Sequence, residues 1–425
     1  MRAPAIIFLL YWSLSGGAPS APAADSCMTC HSAMEEGAKG PATLIKNDVH
    51  FAHGLSCADC HGGDRTSDDP TIAMSKPKGF KGKPARTAIP KFCASCHSNP
   101  DIMRKFAPGE RVDQYELYRT SVHGKRLAAG DTNVATCIDC HSVHDIRAVK
   151  DSMSPVYPLH VAETCSRCHS DKQKMAPYKI PTDQFEEYRS SVHWEAMSKR
   201  GDLSAPTCAS CHGNHGAKPP EVESVAAVCG TCHVTFEELY EKSVHKAVFS
   251  GAGGGGGCIV CHSNHGIHQP STAMLVGPHA VCSECHDAGT APAQTAAQMG
   301  AWIDALDRAL RQSDTVLAHA EESGMEVSEA QMRVTDGRED LVKARLALHA
   351  MDPGEMRKPI DAGMAIATET LGAGQAALRE RDYRRMGLAV SVILIGIAIL
   401  AIRFLIRRIE SNGNREIRGP QQGPL

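Results

Sequence analysis

Aromatic residues are scarce in this chain of 425 residues, at 5% with three Trp, so a large core built on aromatic rings is not expected. Neither sign of charge prevails: 45 Lys and Arg stand against 48 Asp and Glu, a net −3, which excludes a broadly cationic nucleic-acid binder. Charged residues at 22% and apolar ones at 42% exclude a wholly disordered or wholly membrane-embedded chain. The length leaves room for two or three domains. What the chain has in excess is 18 Cys and 22 His.

No cysteine stands alone. The pairs are Cys27 and Cys30, Cys57 and Cys60, Cys93 and Cys96, Cys137 and Cys140, Cys165 and Cys168, Cys208 and Cys211, Cys229 and Cys232, Cys258 and Cys261, and Cys282 and Cys285. Each C-x-x-C is followed at once by histidine: His31, His61, His97, His141, His169, His212, His233, His262 and His286. With 22 His in 425 positions, nine such coincidences have a chance probability on the order of 10⁻¹². C-x-x-C-H is the attachment signature of haem c: two thiols form thioethers with the porphyrin, and the next residue sets an imidazole under the iron. Zinc would need two C-x-x-C pairs per ion, leaving one pair over, and neither zinc nor disulfides explain the histidine after every second cysteine. Nine covalent haems are expected. Their propionates would move the net charge to roughly −21 when reduced and −12 when oxidised.

Met1-Arg2, an apolar stretch from Ala5 to Leu14 and the A-x-A site Ala21-Pro22-Ala23 form a secretory signal over residues 1–23. Its apolar stretch is too short to cross a bilayer. A second apolar run, Met386 to Ile406, is broken only by Arg403 and is long enough to span ~30 Å as a helix. Arginines flank it on both sides: Arg379, Arg381, Arg384 and Arg385 before it, Arg407 and Arg408 after it. The positive-inside rule is therefore nearly balanced, and the signal sets the orientation. The expected product is a single-pass protein of the cell inner membrane, its haem domain facing the periplasm and residues 407–425 in the cytoplasm.

Residues 24–290 give about 30 residues per haem, too few for a separate core around each porphyrin. The expected fold is mainly α with long loops: a multihaem cytochrome c domain packed around stacked haems, then a helical bundle and one transmembrane helix. An internal repeat runs through the haem region. DQYELYRTSVH ends at His123, DQFEEYRSSVH at His193 and FEELYEKSVH at His245, each with Tyr five residues earlier (Tyr118, Tyr188, Tyr240) and the apolar spacing of one short helix. Each is followed by C-x-x-C-H-x-x-H, ending at His144, His215 and His265, and then by a plain C-x-x-C-H. The N-terminal part is degenerate: His50 and His53 precede Cys57, and Asp64 stands where H-x-x-H has its second histidine. The glycine run Gly253 to Gly257 is expected to be a flexible spacer, since no P-loop Lys-Ser/Thr follows.

Over residues 27–290 this succession resembles the multihaem c-type cytochromes of anaerobic respiration, both penta- and decahaem periplasmic carriers and octahaem reductases of nitrogen and sulfur oxyanions. The resemblance implies that the S-V-H and H-x-x-H histidines are distal axial ligands, here His123, His193, His245, His144, His215 and His265. Position alone adds His50 and His53, leaving one distal ligand to find, with His160, His268 and His279 as candidates.

Residues 297–385 are free of attachment sites. Apolar residues recur every three or four positions: Met299, Ile303, Leu306, Leu310 and Leu317; Val327, Ala330, Val334, Leu341, Ala344 and Leu348; Met356, Ile360, Met364, Ala367, Leu371 and Leu378. With turns at Ser323-Gly324 and Asp352-Pro353-Gly354, these spacings predict a three-helix antiparallel bundle whose last helix continues into the membrane segment 386–406. The second helix would return to the haem end near His349, making His349 a candidate for the remaining distal ligand, while His319 would lie about 30 Å away at the membrane end.

Iron held between two histidines has no open coordination position, so the expected function is electron relay. The expected partners are a quinol-oxidising membrane subunit on one side and a periplasmic cytochrome or reductase on the other. The alternative is an oxidoreductase reducing a small nitrogen or sulfur oxyanion at an open haem; octahaem enzymes of that kind often use a Lys-variant site, which this chain lacks. A third reading, direct quinol oxidation, resembles small tetrahaem proteins anchored at the N-terminus, whereas the anchor expected here is C-terminal.

Overall fold

A computed structural model describes residues 25–34, 36–220, 225–249 and 256–417. The signal segment 1–23, the end of the tail and most of the glycine run lie outside the described residues. Among the described residues there are helices, turns and loops and no strand. The chain divides into two compact units, Met1–Pro220 with Asn264–His268, and Glu221–Ser263 with Gln269–Leu425.

The first unit carries six C-x-x-C-H motifs on short helices joined by loops. Its buried apolar side chains are few and scattered, among them Ile45, Met103, Leu127, Met175 and Met197. The S-V-H segments, expected as single helices, are each broken in two: Gln114–Thr120 and Val122–Ala128, Gln184–Arg189 and Val192–Arg200, and, in the second unit, Val234–Glu241 and Val244–Phe249. In the first two the serine causes the break. Ser121 is extended, with φ −67° and ψ 162°, and its hydroxyl accepts from Gly124 N at 2.9 Å; Ser191 does the same for Trp194 N at 3.2 Å. A buried serine capping a new helix outweighs the apolar periodicity that would continue the old one. Each S-V-H histidine therefore sits in the first turn of a helix, held by a serine cap at His123 and His193.

In the second unit the segment after the last attachment motif is a bundle of three helices, Ala291–Glu322, Ser328–Ala347 and Pro353–Ile417. Met299, Ile303, Leu306, Leu310 and Leu317 of the first close against Val334, Leu341 and Ala344 of the second and Met356, Ile360 and Ala367 of the third. Two interior glycines let the helices approach. A Cβ on Gly337 would stand 2.7 Å from Leu310 Cδ2, and one on Gly363 would stand 2.9 Å from Leu306 Cδ1. Ser313 and Thr370 share a buried hydrogen bond of 2.6 Å between the first and third helices. From Tyr383 onward the third helix buries nothing against the bundle: Met386, Leu394, Leu400 and Phe404 are all more than 60% exposed. It is long and apolar enough to cross a membrane, which fits a single-pass anchor.

Candidate haem centres

The attachment motifs take two local forms. Four are isolated five-residue helices, Cys57–His61, Cys137–His141, Cys208–His212 and Cys258–His262. The first three are closed by capping boxes from Ser56, Thr136 and Thr207. All four stop because the next residue is left-handed: Gly62 (φ 69°), Ser142 (71°), Gly213 (81°) and Ser263 (64°). In other motifs the cysteines end a longer helix, as in Ile89–His97 and Pro158–His169. In the helical motifs, thiols three positions apart share one face, the arrangement two thioethers to one porphyrin edge require.

The histidines meet in pairs. In the first unit the ring centroids of His50 and His97 are 5.8 Å apart, His61 and His144 6.1 Å, His123 and His169 6.2 Å, His141 and His215 6.0 Å, and His212 and His265 6.0 Å. In the second unit His245 and His286 are 6.0 Å apart, and His262 and His349 6.1 Å. Two imidazoles on opposite sides of one metal, each bonded at ~2.0 Å, place their nitrogens about 4 Å apart and their centroids about 6 Å apart. The Nε2 atoms of His50 and His97 face each other at 3.5 Å. Burial, and then the neighbouring imidazole, hold His141 down to about 4 and push His97, His123 and His262 below the usual histidine range, so these rings are neutral at pH 7, as ligands must be.

The far ring nitrogen is occupied in several of them. Nδ1 lies 2.8 Å from Asp48 Oδ1 in His50, 3.0 Å from Gly82 O in His61, 3.2 Å from Lys218 O in His212, and 3.2 Å from both Arg345 O and Leu346 O in His349. An Nδ1–H donated to oxygen leaves Nε2 as the free base facing its partner ring.

The pairs follow a register along the chain. Each of the first three isolated attachment helices faces the H-x-x-H histidine of the following one: His61 with His144, His141 with His215, His212 with His265. S-V-H histidines face plain motifs, as His123 faces His169 and His245 faces His286. Backbone bonds join the two sets. Val122 N donates to Ala217 O at 3.0 Å and Val192 N to Ile267 O at 2.8 Å, two residues beyond His215 and His265. The repeat tyrosines tie in the attachment helices: Tyr118 Oη donates to Ala135 O at 2.8 Å and Tyr188 Oη to Pro206 O at 2.9 Å, two residues before Cys137 and Cys208.

Successive attachment sites are also neighbours. The thiols of Cys93 and Cys137 lie beside each other, as do those of Cys165 and Cys208, and of Cys229 and Cys258. Burial, and then nearby thiols of the next site, push Cys60 up to about 11 beside Cys96, and Cys261 to about 11 beside Cys282.

Sequence reasoning missed that His50 belongs to the same motif as His123. Asp48-Val49-His50 repeats S-V-H with aspartate as the cap, and Val49 N donates to Ile146 O at 2.7 Å, two residues beyond His144. The visible signal was the valine before the histidine. His53 ends the same short helix, Val49–Ala52, and is exposed. His160 bonds Ser154 O at 3.0 Å through Nδ1 and lies tilted against the Tyr157 ring at 6.0 Å. Asp64 turns into its own loop, accepting from Thr66 and pairing with Lys78 at 3.1 Å.

The donor set fits haem c. Among the described residues no group of three or more His, Cys, Asp or Glu converges as a protein-only metal cage. At each of the seven pairs, two opposed imidazoles would leave four equatorial positions to a macrocycle, with the two thiols of the attachment motif beside them to bind it. Residues 49–170 and 200–287 match the family model of cytochrome c3. Comparison with curated proteins and with solved structures finds no match.

Proposed function

Because the chain belongs to the multihaem c-type cytochromes, electron-transfer proteins with covalently bound haem c, we propose that it is a nonahaem relay anchored in the cell inner membrane. In this reading a signal peptide exports residues 24–290 to the periplasm. Electrons come from a quinol-oxidising membrane partner and leave to a periplasmic cytochrome or reductase in anaerobic respiration. All nine C-x-x-C-H motifs, Cys27 to His286, bind haem. The observation that carries the reading is the set of imidazole pairs at 5.8–6.2 Å, opposed across a gap of one iron. When bound, haem c supplies a one-electron iron couple.

The chain's own residues do the rest. His31, His61, His97, His141, His169, His212, His233, His262 and His286 are the proximal ligands. His50, His123, His144, His193, His215, His245 and His265 serve as distal ligands, with His53 as a further candidate. A centre closed on both faces excludes a small oxyanion, which supports relay over reduction. Thiol contacts between consecutive sites, as at Cys165 and Cys208, support an order of centres that follows the chain within each unit.

The test uses the full-length protein with a water-soluble menaquinol analogue. The protein alone should be reduced slowly, and its reduction should accelerate on adding a membrane fraction that contains the quinol-oxidising partner. Fast quinol oxidation by the protein alone, or multiple turnovers of nitrite or sulfite reduction, would overturn the relay.

A further inference from the structure

Taken in chain order, the isolated attachment helices are the rungs of a ladder, and the first three are each faced by a histidine from the next motif: His144 for His61, His215 for His141, His265 for His212. The last rung, Cys258–His262, has no following H-x-x-H motif in the sequence. Its facing imidazole is His349, which lies outside the family match, on the Leu348–Ala350 turn between the second and third bundle helices.

We propose that His349 is the distal axial ligand of the iron bound at Cys258, Cys261 and His262, so that a bond through iron fastens the bundle, and the membrane helix continuous with it, to the last rung of the ladder. This rests on the bis-histidine reading above. The rings of His262 and His349 stand 6.1 Å apart and within 14° of parallel, the spacing of the other rungs. His349 Nδ1 is spent on Arg345 O and Leu346 O, both at 3.2 Å, which leaves Nε2 for a metal. Phe236 packs edge-on against the ring at 4.7 Å and also meets His233 at 5.7 Å, restricting where the imidazole can turn. The turn itself is fixed: Met351 is left-handed (φ 54°), donates its N–H to Leu348 O at 3.0 Å, and is followed two residues later by Pro353 opening the third helix. The other bundle histidine, His319, sits at the opposite end, 3.2 Å from Arg381 Nη1.

The test compares wild type, His349→Ala, His349→Met and His319→Ala as full-length proteins, by low-temperature EPR and intact mass. His349→Ala should convert one haem from low-spin to high-spin, with added imidazole restoring it, at an unchanged haem mass. His349→Met should stay fully low-spin with one potential raised, because thioether ligation favours the ferrous state. His319→Ala should match wild type. A His349→Ala protein as fully low-spin as wild type, with no imidazole binding, would overturn the proposal while leaving the relay reading intact. A haem mass short of nine in wild type would instead strike the relay reading.

Discussion

Asp48 is 3% exposed and accepts three hydrogen bonds, from His50 N at 2.9 Å, His50 Nδ1 at 2.8 Å and Ile146 N at 2.8 Å. Burial opposes its charge, but the bonds from His50 and Ile146 outweigh it and hold the carboxyl below the usual range. Asp48→Ala would strand the Ile146 and His50 amides, and should destabilise the haem domain by about 1–3 kcal/mol in thermal unfolding. Asp48→Asn should raise the potential of one haem only, since a carboxylate on Nδ1 makes its imidazole more basic; potentiometric titration resolves this, and an unchanged set of potentials would contradict it. The distal role of the S-V-H residues is checked in the same way: His123→Ala, His193→Ala and His245→Ala should each give one high-spin haem. The attachment motifs were legible in the sequence because the motif is local, two thiols and an imidazole within five positions. The membership of His50 was not, since aspartate and serine cap a helix alike but do not look alike.

At the scale of elements, the bundle could be read from its spacing because three helices bury the residues that recur every three or four positions, Leu306, Leu317, Val334 and Met356 among the most enclosed. The break at Ser121 and Ser191 could not, because the apolar period runs through it and the cap is a polar preference of single residues. Ser121→Ala should cost about 0.5–2 kcal/mol through the lost cap on Gly124 N. In the bundle, Gly337→Val would push against Leu310 and Ile366 and should destabilise it by about 1–3 kcal/mol, read as a lowered thermal midpoint. A neutral result at either position would mean that the helices sit farther apart than described.

For the molecule as a whole, the number of attachment sites and the single apolar span follow from counting. The partner of each histidine does not, because His61 and His144, or His262 and His349, come together only when the repeat is folded over itself. Among the distal candidates, His349 was placed by helix lengths and turns, which fix direction even where motifs fail; the ladder register shows why a histidine is wanted there. The most direct test of the bis-histidine account is the low-temperature EPR spectrum of the oxidised full-length protein, with spins counted against iron. The account predicts that all nine irons are low-spin with no high-spin signal; a high-spin signal of one iron or more per molecule would contradict it.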